Sequence, residues 1–153
     1  MTTALSVRWD DFEAAFIIGS PDSRYFVNLD SGEVRYSSFL DDESVRNRGL
    51  AQTAQPHWVE IVRPTQADAR AEVEVFIGAQ KDDAVREALT KGYRERNPFM
   101  GFNKALGSFP DVRRGWATAR MAGIHRRLLA FTKAHSVSID DDRYRALLSP
   151  KSP

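Results

Sequence analysis

Three histidines, His57, His125 and His135, are the side chains from which catalysis or metal binding near neutral pH would start. His125 and His135 are ten residues apart, about 80° out of line on a helix. Neither pairs with an acid at i+4 in the manner of a helical zinc site, and His57 opens a candidate strand. Asp68 and Glu72 share a helix face with Glu74 close by, and paired carboxylates do acid–base work when one is desolvated. Here they lie beside Arg70 on the wet side, and Asp68 already serves as a cap. The nine glycines are scattered, with no Gly-x-x-x-x-Gly-Lys or Gly-x-Gly-x-x-Gly cradle for phosphate. No serine stands in a Gly-x-Ser-x-Gly elbow. The absence of cysteine removes thiolate nucleophiles, thiolate metal sites and disulfides. The expectation is a protein that is not an enzyme, with no catalytic, cofactor-binding or metal-binding residue. An enzyme would announce itself by a deep pocket holding at least two of His57, Glu60, Asp68, Glu72 and His125.

Arginine carries the strongest functional signal. Arg113, Arg120 and Arg127 are seven residues apart, so they drift only about 20° per step and line one helix edge over about 21 Å. Trp116 lies beside that edge. Such a row meets successive phosphates, with the indole placed to stack on a base. The competing reading lays the arginine stems along the core and pairs their heads with acids of the N-terminal half. The charge distribution allows either. Residues 1–43 carry nine acids against three arginines, a net of −6, and residues 111–135 carry six bases against one acid, a net of +5. The whole chain is at +1, unlike the strongly basic domains that bind nucleic acid. A second candidate surface is Tyr36, Phe39 and Leu40 at the end of a hairpin, open to a docking partner. The first expectation is therefore a protein-interaction or regulatory module, with a protein partner or self-association. Nucleic-acid binding through the arginine row is the alternative.

These residues are positioned by a readable series of elements. Ser6 is placed to cap a helix carrying Trp9, Phe12 and Phe16, ended by Gly19-Ser20-Pro21-Asp22. Tyr25 to Asp30 and Glu33 to Phe39 flank Ser31-Gly32 as a hairpin, with Tyr25, Val27 and Leu29 on one side of the first strand and Val34 and Tyr36 on one side of the second. Residues 41–56 read as a polar connector with a helical turn around Glu43 to Arg48. His57 to Val62 is a third strand, ended by Arg63-Pro64. Thr65 with Asp68 forms a capping box for a helix burying Ala69, Val73, Phe76 and Ile77. Asp82 caps a helix with Val85, Ala88 and Leu89 inward, stopped by Gly92.

Then comes a corner, Asn97 to Trp116. Pro98 opens a short helix with Phe99, Phe102 and Leu106 on one face. Gly107 closes it through the left-handed backbone that glycine accepts, and Ser108 with Asp111 caps the next helix. That helix runs from about Phe109 to Ala134 with a seam of Ala117, Met121, Ile124, Leu128 and Phe131. Ile139, Tyr144, Leu147 and Leu148 add a last turn. Helix, three strands and a run of helices give an α+β class: a small antiparallel three-stranded sheet packed on a C-terminal helical bundle. One domain of residues 1–148 with a flexible tail of 149–153 suffices for a chain of 153 residues. With no run of about 20 apolar residues and no secretory signal at the start, a cytoplasmic protein away from the membrane is expected.

The order of motifs resembles a bacterial uncharacterised protein family, UPF zero-one-five-eight. Tyr25-Phe26 through Leu29-Asp30-Ser31-Gly32-Glu33-Val34 is similar to its strand-turn-strand motif. His57-Trp58-Val59-Glu60-Ile61 with Pro64, then Glu74-Val75-Phe76-Ile77, is similar to its strand followed by a helix. Asn97 to Leu106 with Trp116 resembles its Phe-x-x-Phe-Lys-Asp-x-Leu segment and following tryptophan. The likeness spans about Trp9 to Phe131 and departs at Asn103 and Lys104, where the family usually shows Lys then Asp. It implies a single small, soluble bacterial domain, and neither an activity nor a catalytic residue.

Overall fold

Asn28 ends strand β2 (Ser23–Asn28) and builds the turn into β3 (Val34–Ser38). Its Oδ1 accepts from the backbone N–H groups of Asp30 and Ser31 at 2.8 and 3.0 Å, the local bonding that suits asparagine to turns. Its carbonyl accepts from the Gly32 N–H at 2.8 Å. Gly32 has a φ of +80°, and a Cβ there would collide with the Ser6 carbonyl, so the expected turn glycine is required on two counts. The turn is wider than Ser31-Gly32 alone: the strands stop at Asn28 and resume at Val34.

The computed structural model describes residues 3–17, 23–38, 57–62 and 64–149. The Gly19 to Asp22 stop signal, Phe39 and Leu40, the connector 41–56 and the end of the tail lie outside the described residues. Strand β4 (Trp58–Ile61) pairs antiparallel with the other edge of β2, giving the order β3-β2-β4. Val27 and Ile61 of this sheet share a core with the helical residues Phe12 and Leu128, which makes the chain α+β, as its motif order predicts.

Two compact units are present, one of residues up to Thr65 together with those from Ile124 on, the other Gln66–Gly123. In the first, the register sets Tyr25 opposite Tyr36 and Ile61, and Val27 opposite Val34 and Val59. This face meets helix α1 (Trp9–Ala14), which contributes Trp9 and Phe12. The Arg8 carbonyl accepts the first helical bond, from Phe12, so Arg8 and not Ser6 sits at the cap. Two three-residue strands, β1 (Thr3–Leu5) and β5 (Val137–Ile139), pair in parallel and seal the core with Leu5 and Ile139. Neither is long enough to show a period in the sequence. The residues expected to add one last turn thus divide between β5 and helix α6 (Asp142–Leu148), whose cap Asp141 accepts from the Arg143 N–H.

The second unit holds α2 (Gln66–Gly78), α3 (Asp83–Tyr93), α4 (Pro98–Leu106) and the start of α5 (Pro110–Ala134). Asp82 caps α3 by accepting from Ala84 and Val85, as its spacing predicts. Asn97 caps α4 by accepting from Met100, with Pro98 at the first helical position. Three sequence expectations are corrected. Gly107 is right-handed at φ −59°, so α4 does not end by a left-handed glycine. The Phe109 carbonyl accepts the first bond of α5, from Arg113, which puts Phe109 rather than Ser108 at that cap. Gly92 does not stop α3 but lies buried within its last turn. The core of this unit gathers Val73, Ile77, Val85, Leu89, Phe102 and Leu106, with Phe76 and Trp116 packed against them.

Candidate interaction surface

Helix α5 carries the arginine row, and its surroundings change along its length. Ala117 to Ala122 reads Ala-Thr-Ala-Arg-Met-Ala, and all six residues are exposed. With ~100° between successive residues, an exposed run this long shows solvent on every side of the helix. Good helix formers hold it (alanine, arginine and methionine), where burial contributes little.

Among the described residues, Arg113 and Arg120 are exposed and make no ion pair. Arg114 pairs with Asp111 one turn back. Arg127 is half-buried and turned inward, donating Nε and Nη2 to the Phe16 carbonyl at 3.1 and 3.0 Å. A row that looks uniform in sequence therefore has two open members and one engaged in holding the end of the α1 segment. Trp116 is engaged as well: its ring lies 5.0 Å from Phe76 and 5.1 Å from Phe102, half-covered in an aromatic cluster.

The predicted seam divides in the same place. Ile124 and Leu128 are 6% and 0% exposed, while Met121 is 43% exposed and Ala117 is open. Counting ~100° per residue from Arg113, Arg120 lies at about −20°, Ala117 at 40°, Met121 at 80° and Arg114 at 100°. Two small or apolar side chains are thus flanked by arginine on both sides. Val112 and Trp116, the residues that pack into the core of this unit, point to about 260–300°. The Ala117–Met121 strip is turned well away from that core.

Of the hairpin patch, Tyr36 is 53% exposed, with its ring 5.0 Å from Tyr25 across the strand pair. Phe39 and Leu40 lie outside the described residues. His57 is exposed, and His135 stacks 4.4 Å from Phe131. His125 Nε2 lies 2.9 Å from the Glu13 carboxylate, a part-buried contact across 112 residues of sequence. Glu60 takes both nitrogens of the Arg24 fork, at 2.9 and 2.8 Å. Those hydrogen bonds hold its carboxyl below the ordinary range and raise Arg24 in turn. Asp68 and Glu72 lie on α2. Among the described residues, no three of His, Asp and Glu gather to hold a metal. Sequence reasoning missed the Glu13–His125 and Arg24–Glu60 pairs because contacts between distant segments leave no local spacing signal.

A shallow open groove runs along α3, lined by Arg86, Glu87, Thr90, Lys91 and Arg94. Arg86 is occupied by Asp83 and the Gln80 carbonyl, and Glu87 offsets the rest. This is a solvated helix face. Among the described residues, no helix is long and apolar enough to cross a membrane. No family model matches the chain, and no curated protein or solved structure matches it.

Proposed function

We propose that this chain is a non-catalytic binding domain that recognises another protein through the exposed middle of α5. One observation carries this reading: the run Ala117–Ala122 of α5 is exposed at every residue and bears Arg120, with Arg113 exposed one turn before it, and neither arginine makes an ion pair among the described residues. An exposed run of ordered helix bearing an unpaired cation is explained as surface kept for a partner. The resemblance of the motif order to UPF zero-one-five-eight supports a small bacterial cytoplasmic protein. Self-association and the hairpin residue Tyr36 belong to the same reading as secondary surfaces.

The test is crosslinking from a photoreactive residue at position 121 in cells, compared with the same residue at Lys133 of α5. Reproducible capture of one protein from position 121, lost in Arg113→Glu/Arg120→Glu, is the expected result. Equal capture from both positions would sink the reading.

The two open arginines also favour a second reading, nucleic-acid binding along the same helix edge. Its signature is binding at low salt that weakens steeply as salt rises, with the slope reduced by about one for each arginine removed. Unchanged affinity in Arg120→Glu would remove it.

A further inference from the structure

We infer that the Ala117–Met121 strip of α5 docks an acidic amphipathic helix of another protein, a step that rests on the proposed binding role of α5. The seam of this helix is continuous in sequence, but only its C-terminal half is buried, with Ile124 at 6% exposure and Met121 at 43%. Ala117 and Met121 leave the helix surface low enough for a second helix to approach at the usual 8–10 Å between axes, a range of about that size. Arg113 and Arg120 stand on one flank of the strip and Arg114 on the other.

Charge selects the occupant. A second copy laid strip to strip would set Arg113, Arg114 and Arg120 against themselves, with Asp111 the nearby acid and already paired to Arg114. Nucleic acid would use the arginines but gains nothing from Met121, and Trp116 is already packed between Phe76 and Phe102. A helix with a small apolar stripe edged by Glu or Asp satisfies both parts of the surface: the stripe covers Ala117 and Met121, and its acids meet Arg113 and Arg120.

The probe is a labelled helical peptide of about 20 residues, with leucine and alanine at helical spacing and glutamate on both flanks. It is titrated into the full-length protein by fluorescence anisotropy. Three controls accompany it: the same composition permuted to destroy the helical period, a lysine-for-glutamate version, and single-stranded DNA. The acidic helix is expected to bind and all three controls to bind at least about tenfold more weakly. Arg120→Glu is expected to weaken the acidic helix about tenfold, and Arg126→Glu, about 160° from the strip, less than about twofold. Met121→Lys separates charge from shape. It adds a cation, so attraction by charge alone would tighten binding, whereas a buried methionine contact predicts weakening.

Equal binding of the permuted peptide, tightening by Met121→Lys, or preference for DNA overturns the docked helix. The broader reading of α5 then stands or falls separately, on the crosslinking from position 121. Failure of the acidic peptide to bind overturns the inference outright.

Discussion

Gly92 of α3 and Gly101 of α4 meet backbone to backbone: a Cβ on Gly92 would run into the Gly101 carbonyl, and one on Gly101 into the Gly92 carbonyl. Replacing either by alanine gains about 1 kcal/mol of helix propensity. It also forces apart two helices whose neighbours, Leu89 and Phe102, are almost fully buried. Overpacking of a filled interior costs about 1–3 kcal/mol and acts here on backbone atoms that cannot swing aside. Gly92→Ala and Gly101→Ala are each expected to destabilise, whereas Gly78→Ala, with nothing near its Cβ position, is expected to be neutral or stabilising. Urea unfolding of the three variants decides it. Stabilisation by Gly101→Ala would show that the helices do not cross this closely.

The Arg24–Glu60 pair sets a pH dependence. Its hydrogen bonds lower the Glu60 carboxyl in the folded protein, so the charged form is favoured on folding. That contribution is fully present above the unfolded carboxyl's pKa, about 4.3, and is lost as pH falls from there through the folded value. Both side chains are two-fifths exposed or more, 46% and 40%, so solvent screening keeps the effect at or below about 1 kcal/mol. The stability difference between the wild type and Glu60→Gln is expected to be largest near neutral pH and to shrink as pH falls through the lowered Glu60 pKa. Urea titrations at several pH values measure it. A difference that grows on acidification would reverse the sign and refute the pair.

The fold was legible in the sequence where a residue acts on its neighbours, and illegible where it acts across the chain. Asp82 caps the helix that begins beside it, Pro98 opens α4, and the hairpin is announced by Gly32 a few residues beyond Asn28. Gly92 looked like a stop because glycine ends helices more often than it lines them; its partner Gly101, nine residues on, could not be recognised by local spacing. Strands β1 and β5 lie at opposite ends of the chain and are three residues each, too short for an alternation to appear. On the candidate surface, the three arginines spaced by seven all lie on α5. Their inequality came from outside the helix: the Phe16 carbonyl engages Arg127, and Phe76 with Phe102 engages Trp116.

Ser136 provides a test of strain. It follows α5 with a φ of 53°, in the left-handed region where a side chain costs about 1 kcal/mol. Its side chain is exposed, so Ser136→Gly removes that cost with no packing lost. The expected gain is at most about 0.5 kcal/mol, after allowance for the greater freedom of glycine in the unfolded chain. Ser136→Val should move stability the other way, because a β-branched residue fits this backbone poorly. Thermal unfolding of the pair measures both, and a loss in Ser136→Gly would show that the helix does not end in this conformation.

Thr132 and Tyr144 give an asymmetric prediction. Both are buried; the tyrosine hydroxyl donates to Thr132 Oγ1 at 3.0 Å, and Thr132 Oγ1 donates to the Leu129 carbonyl at 3.0 Å. Tyr144→Phe removes one donor and leaves the threonine its bond to Leu129, a loss of about 1 kcal/mol. Thr132→Val strands the tyrosine hydroxyl in the core with no acceptor, which costs about 1–3 kcal/mol. In the double variant the stranded hydroxyl is gone, so the combined loss should fall short of the two single losses added together. Denaturant unfolding of the four proteins in this cycle measures the coupling. Strict additivity would mean that the two hydroxyls do not bond to each other, and that α6 is held to α5 by the ring of Tyr144 alone.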